Sequence, residues 1–488
     1  MIRIFSRARF SGWGRDARAV IRFRILVAIL LCSSNLLLRA QAPEAWVYID
    51  SILVEGNIKT KERLILRELQ FKTGDSLPMG RLSDILEFNR LRVMNLGIFT
   101  HSKFNVREWK PGNHLVLHLK LTETWFIYPA PLFELADRNF NVWWNEFNRS
   151  LKRVNYGLDL NHVNLTGNAD QLKLKLQFGY TNKYEVSYRR ANINRKQTLG
   201  ISGNIAYNRA REVSYRTAEN KLLFYRNPDA WQITRFTAGL SMQYRPKLFA
   251  SQTFTLEFYD NRISDSVLVR NTDFFLNNSL RQRHLSFIYN WTVDRRDIRP
   301  YPIKGWLSTV EARVNGLLPG DNLRIVRLFG TYEYYHPVFT KNLSIEVRLS
   351  GRTSLPRRRP PYYNNQGLGY GGSFVRGYEY YVLDGLDYGL LRTAFHYKAF
   401  DFSINFGKFM PLKAFKVLPV KLYLSANNDT GYANDPHYGA NNPLTNRLIY
   451  GYGLGLDAIL YYDKSIRMEW SRNDLGESGF FLRIDAGF

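Results

Sequence analysis

After residue 126 the chain alternates hydrophobic and polar residues with a period of two. In QLKLKLQFGY, Leu172, Leu174, Leu176, Phe178 and Tyr180 share one face, and Gln171, Lys173, Lys175 and Gln177 share the other. Further along, Leu343, Ile345, Val347 and Leu349 oppose Ser344, Glu346, Arg348 and Ser350. Leu422, Leu424 and Ala426 oppose Lys421, Tyr423, Ser425 and Asn427, and Ile466, Met468 and Trp470 oppose Arg467, Glu469 and Ser471. The last residues repeat the pattern, with Phe480, Leu482, Ile484, Ala486 and Phe488 against Arg483 and Asp485. Such alternation predicts strands with one apolar and one polar face. A soluble sandwich also alternates, with its apolar face inward. Here the polar face carries charges on many successive strands and the apolar face ends in aromatics. That favours a membrane barrel with a wet lumen and an interfacial girdle. A sheet in a bilayer must close on itself so that no backbone group is unpaired. The length of residues 126–488 allows about sixteen antiparallel strands.

Residues 46–125 read differently, as a small α+β unit of order βααββ. Trp46–Val54 predicts a strand, and Thr60 stands where it can cap a helix over Lys61–Leu69. Leu82, Ile85, Leu86, Asn89, Val93 and Leu96 form a helical stripe with one polar interruption, and Gly97 stands where a helix ends. Ile98–Trp109 and Leu115–Thr122 then pair as strands. An exposed edge of such a sheet can accept an extended peptide.

Charge and composition narrow the compartment. Residues 1–42 hold eight arginines and one aspartate, an apolar run over Ile25–Leu38, and Ala40-Gln41-Ala42, the features of an export signal. The single cysteine, Cys32, falls in that run, so the expected mature chain has no disulfide and no thiolate chemistry. Net charge is +26, and it is spread along the chain without a clustered arm. That distribution points to anionic lipid headgroups or lipopolysaccharide and away from nucleic acid. Beyond residue 40 no apolar run is long enough for a membrane helix, which leaves a membrane barrel open.

Candidate chemistry is sparse. The eight histidines (101, 114, 118, 162, 284, 336, 396 and 437) show no metal-ligand spacing and no serine-motif context. No phosphate loop or dinucleotide fingerprint stands out. The expectation is a protein that is not an enzyme and carries no cofactor or metal. The singular stretch is GGSFVRGYEYYVLDG, Gly371 to Gly385, a long glycine-rich loop between strand-like segments with one arginine, Arg376. Loops of that length are commonly functional.

Together these segments resemble the outer-membrane BamA/TamA assembly superfamily. ILVEGNIKT (Ile52–Thr60), NRLRVMNLGIFT (Asn89–Thr100) and LVLHLKLTET look like a POTRA domain, and FVRGYEY (Phe374–Tyr380) resembles the family's inward-folded loop motif. GYGLGLDAILYYDKSIRMEWSR followed by GFFLRIDAGF resembles its last three strands. The organisation implied is a signal peptide over 1–42, a POTRA-like domain over 46–125, and an outer-membrane β-barrel over 126–488. The resemblance implies a loop motif of Val375, Arg376, Gly377 and Tyr378 folded into the lumen. It assigns Asp429, in LYLSANNDTGY, as the wall partner of Arg376. Asn428 departs from the apolar residue usual before that aspartate, and Glu469 and Asp485 remain alternative partners. A guanidinium suits the role because its planar fork keeps its charge and binds carboxylate through two donors.

The implied function is assembly or translocation of client proteins at the outer membrane, with the POTRA-like domain in the periplasm. Implied partners are unfolded outer-membrane or secreted proteins, outer-membrane lipids or lipopolysaccharide, and periplasmic or lipoprotein accessory subunits. A two-partner secretion pore with one passenger, or a passive channel, are the alternatives. The seam where such a barrel opens is expected at Pro129, Pro131 and Phe488. Proline cannot donate to a ladder. The two prolines equally suit a linker between the domains.

Overall fold

The computed structural model describes residues 45–136, 140–194, 196–299, 301–340, 342–410, 416–460 and 464–485. The expected signal segment and Phe488 lie outside the described residues, as does the side chain of Asp485.

The N-terminal unit contains β1 (Trp46–Glu55), α1 (Glu62–Leu66), β2 (Ser76–Pro78), α2 (Leu82–Met94), β3 (Phe99–Lys110) and β4 (His114–Glu123). Its sheet runs β2-β1-β4-β3. β1 and β4 are parallel, with Ile52 opposite Leu117, because the intervening helices return the chain to the same end. Val47, Ile49, Leu115, Leu117 and Leu119 form its core with Ile65 and Val93. The polar interruption in the α2 stripe, Asn89, is fully buried and satisfied. It accepts the Gln70 N–H (2.7 Å) and donates to the Ile85 carbonyl (2.7 Å).

Thr60 does not cap α1, which is shorter than the sequence suggests and starts at Glu62. Tertiary contacts take its N–H and its hydroxyl. The Thr60 N–H donates to Glu123 Oε1 (2.7 Å), and its hydroxyl accepts from Asn164 Nδ2 (2.8 Å).

The rest of the chain builds one sixteen-stranded antiparallel sheet. Its first half is β5 (Ile127–Leu135), β6 (Val154–Val163), β7 (Gln171–Gly179), β8 (Thr181–Arg190), β9 (Leu199–Ala210), β12 (Ile233–Tyr244), β13 (Ala250–Ile263) and β14 (Arg281–Asp294). Its second half is β15 (Gly305–Asn315), β16 (Ile325–Pro337), β17 (Leu343–Leu355), β20 (Asp387–Asn405), β21 (Val417–Asn434), β22 (Leu448–Leu460), β23 (Lys464–Asn473) and β24 (Ser478–Asp485). Two short ladders sit in the loops: β10 (Glu212–Ala218) with β11 (Lys221–Arg226), and β18 (Gln366–Leu368) with β19 (Leu383–Asp384). One helix, α3 (Asp265–Arg270), joins β13 to β14.

The sheet curls into a barrel whose faces follow the period-two pattern. Leu240, Leu256, Leu349, Leu424 and Met468 point out and are exposed, whereas Gln282, Ser425, Asp429 and Glu469 point in and are buried. Tyr180 departs from the row read in sequence. It lies past the end of β7 and packs under the Arg153 guanidinium. Among the described residues no helix is long and apolar enough to cross a membrane, which says nothing of the strands.

The small domain docks on the short-turn end of the barrel. Lys61 N–H donates to the Gly167 carbonyl (2.9 Å), Gln197 Nε2 to the Arg63 carbonyl (2.9 Å) and Arg67 Nη2 to the Arg245 carbonyl (2.9 Å). Glu68 is buried between Arg92 (2.8 Å) and Arg245 (2.6 Å).

Candidate functional site: the lumen loop and the seam

The loop from Pro356 to Leu386 leaves β17 and folds back into the barrel before β20 begins. Its apolar residues Leu368, Val375, Tyr378 and Leu383 pack on Tyr388, Ala433 and Ile449 of the wall. Small wall residues make room for it. A Cβ on Gly451 would collide with the Arg376 carbonyl, and one on Gly431 with Val375. Gly377 has φ +84°, and a Cβ there would meet the Arg472 backbone at 2.9 Å, so this turn requires glycine on two counts.

This packing delivers Arg376 to two carboxylates on different strands. Nη1 donates to Asp429 Oδ1 of β21 (2.6 Å), and the Arg376 N–H donates to Asp429 Oδ2 (3.1 Å). Nε lies 2.7 Å from Glu469 Oε1 of β23, without the alignment of a hydrogen bond, so that contact is ionic. Arg483 of β24 bridges Glu469 (3.0 Å) and Glu379 of the loop (2.8 Å). Arg392, opposite Asp429 on β20, lies 3.5 Å from its Oδ2 and donates to the Gly372 carbonyl (3.0 Å). The Phe374 ring is flanked by the Arg392 (4.7 Å) and Arg483 (4.4 Å) guanidinium groups. Tyr378 donates its hydroxyl to Asp474, whose other oxygen takes Arg447 Nη2 (2.7 Å). Removing one member of such a buried set leaves its partners' charge uncompensated, at about 3–5 kcal/mol.

The structure thus brings Arg376, Asp429 and Glu469 together. Asn428 faces outward and donates to the Tyr450 hydroxyl (2.9 Å). Arg392, Glu379, Arg483 and Phe374 were not singled out from sequence. The signal available for Arg392 and Arg483 was their inward phase on β20 and β24.

The two ends of the sheet, β5 and β24, each pair with one neighbour only among the described residues. Pro129 and Pro131 lie within β5, opposite Leu160 and Leu158, so they belong to the barrel wall and not to a linker. At the ends of the β5–β6 ladder the Ala136 N–H donates to the Arg153 carbonyl (2.9 Å), and the Val163 N–H to the Phe126 carbonyl (2.8 Å). With an unbroken register, even-numbered residues of β5 direct their backbone groups at β6 and odd-numbered ones away. Both prolines are odd, so two donors are missing from the free edge.

The same logic applies to β24. The Asn473 N–H donates to the Glu477 carbonyl (3.0 Å), which sends the backbone groups of Phe480 away from β23. The Phe480 carbonyl is taken by the side-chain amide of Asn141, from the segment after β5. Asn145 of that segment donates to the Tyr380 hydroxyl of the lumen loop (2.7 Å). Phe140 and Trp144 line an apolar cavity of about 290 Å³ with Met468, Phe480 and Leu482. At the described edges, side chains therefore cover a gap that strand pairing leaves open.

Residues 164–460, more than half of the chain, match the family model for the Omp85 superfamily domain. The chain belongs to the Omp85 superfamily. That match includes the lumen loop and Asp429 but neither sheet end. No curated protein matches in sequence. Among solved structures this Omp85 chain is similar to CdiB from Escherichia coli, at 14% identity and TM-score 0.54, over 90% of this chain and 76% of that one. It is also similar to BamA from Haemophilus ducreyi lacking POTRA domains 1-3, at 12% identity and TM-score 0.49, over 90% of this chain and 83% of that one. At such identity the likeness to CdiB concerns the fold.

Proposed function

We propose that this Omp85 protein is a non-enzymatic factor of the outer membrane that helps insert or export client proteins, with its small domain on the periplasmic side. The observation that carries the reading is the seam. One edge has lost two donors to proline, and the other offers a carbonyl that a side chain covers. A client strand entering hydrocarbon needs every N–H and C=O paired, and an edge whose own closure is weak can supply partners in transit. The Arg376 cluster ties the lumen loop to β21 and β23, beside that seam, so loop and seam move on a common frame.

A passive channel fits less well, because the loops at that end of the barrel are tied to one another. Asn220, at the tip of the β10–β11 hairpin, is fully buried among the loops. Its side chain donates to the Val382 carbonyl (3.1 Å) and the Thr445 hydroxyl (3.2 Å) and accepts the Leu444 N–H (2.8 Å). Clients are unfolded barrel or secreted proteins, and accessory periplasmic or lipoprotein subunits complete the proposed partners.

The test is depletion of the protein followed by quantitative proteomics of outer-membrane and secreted fractions. Broad loss of barrel proteins indicates general assembly, and loss of one protein a dedicated exporter. Unchanged levels of every protein in both fractions would overturn the proposal.

A further inference from the structure

The register of β9, β12, β13 and β14 places outward side chains in continuous rows. The row nearest the loops is Arg209, Thr234, Arg262 and Arg281. The next is Tyr207, Phe236, Asp260 and Arg283. Below these come only apolar rows, Ile205, Ala238, Phe258 and Leu285 first, until Tyr244 and Trp291 mark the other end. On β12 the stretch from Phe236 of the second row to Tyr244 is of a length suited to the hydrocarbon of a bilayer. The arginines therefore stand at headgroup level.

Their arrangement is ordered. Asp260 holds Arg281 (2.6 Å) and Arg262 (3.1 Å) side by side. The Trp231 ring carries Arg209 on it at 4.2 Å and Arg211 at 4.6 Å. Adjacent strands lie about 4.8 Å apart, so Arg209 and Arg262 are about 10 Å apart along the row. Within the two rows four arginines stand against one carboxylate. At the loop end of β17, β21 and β22, by contrast, the exposed outward residues are Leu355, Tyr432 and Leu448.

We infer that this face binds a phosphorylated glycolipid of the outer leaflet, of the lipopolysaccharide class. Its phosphates meet Arg209, Arg262, Arg281 and Arg283, and its acyl chains lie on the apolar rows beneath. Two phosphates on one headgroup suit two cation clusters set along a row, and guanidinium groups bind phosphate through paired donors. The site lies on strands five to eight of the sixteen, away from the β5–β24 seam, so it anchors the wall that stays still. The inference rests on the proposed orientation, with the loops at the cell surface.

The test uses the full mature chain in detergent micelles. Binding of bis-phosphorylated lipid A, of dephosphorylated lipid A and of phosphatidylglycerol is followed by native mass spectrometry. Bis-phosphorylated lipid A is expected to bind in preference to the other two. The triple variant Arg262→Gln, Arg281→Gln, Arg283→Gln should bind it at least about tenfold more weakly while keeping its heat-modifiable migration. Asp260→Asn, which removes the competing carboxylate, should bind it more tightly. Equal binding of dephosphorylated lipid A or phosphatidylglycerol, or an unchanged affinity in the folded triple variant, overturns the inference. Should the triple variant not fold, Asp260→Asn decides, and unchanged or weaker binding there counts against the site. Orientation is read separately, by labelling Val269→Cys on intact cells with an impermeant maleimide. Labelling supports loops at the surface, and protection there overturns the orientation even if purified protein binds lipid A.

Discussion

Arg376 Nε and Glu469 Oε1 lie 2.7 Å apart inside the barrel, so the lumen loop is held by β23 as well as by Asp429 of β21. Arg376→Ala removes the cation that these two carboxylates share and weakens the docked loop by about 3–5 kcal/mol. The barrel wall has its own ladders and should stay folded. The expected outcome is heat-modifiable migration as in the wild type, with client levels reduced several-fold. Wild-type client levels in a folded variant would count against a role for the loop.

A two-residue charge swap should fail. Arg376→Asp with Asp429→Arg sets an aspartate against Glu469, two like charges in a buried site. Adding Glu469→Gln removes that repulsion and should recover part of the activity. Equal client levels in the double and triple variants would separate Glu469 from the loop's function.

Replacing Pro129 and Pro131 with valine returns two donors to the free edge of β5. Asn141→Ala does the reverse at β24 by uncovering the Phe480 carbonyl. The valine pair should slow amide exchange in β24 and reduce client insertion, and the alanine variant should speed exchange. Identical exchange in all three proteins would remove the seam from the mechanism.

Asn220→Ala leaves the Leu444 N–H without its buried acceptor, at about 1–3 kcal/mol. The loop end should loosen. Planar-bilayer recordings are expected to show more frequent or larger openings than the wild type, and a silent trace from folded protein would argue that Asn220 does not hold the loops together.

Docking of the small domain depends on Glu68. Burial opposes its charge, but hydrogen bonds and charge from Arg245, with Arg92 and Arg67 adding, hold its pKa below the ordinary 4.5. A carboxylate lowered in this way stabilises docking above its ordinary pKa, and that stability is lost as pH falls through the lowered one. Protease protection of the Arg245–Phe249 turn should be constant from neutral pH down to about 5 and fall below about 4. Glu68→Gln should lose protection at neutral pH. Protection independent of pH in the wild type would exclude Glu68 as the clasp.

The sequence by itself determined the strands and their faces. Alternation at Leu172–Phe178 or Leu422–Asn427 is a local consequence of the pleat, because a one-residue slip would put lysines into lipid. The helical stripe of the small unit and the glycine at position 377 were legible for the same reason, since they answer to local geometry. Tertiary structure decided which charges meet. Asp429 and Glu469 were both inward by phase, and only the path of the loop across β21 and β23 gives Arg376 to both. It decided that Thr60 serves docking and not a helix cap, because Asn164 and Glu123 arrive from distant segments. It also decided that the prolines of β5 face the seam. Which way a backbone donor points depends on the parity of pairing with β6, a relation between two strands that neither strand carries alone.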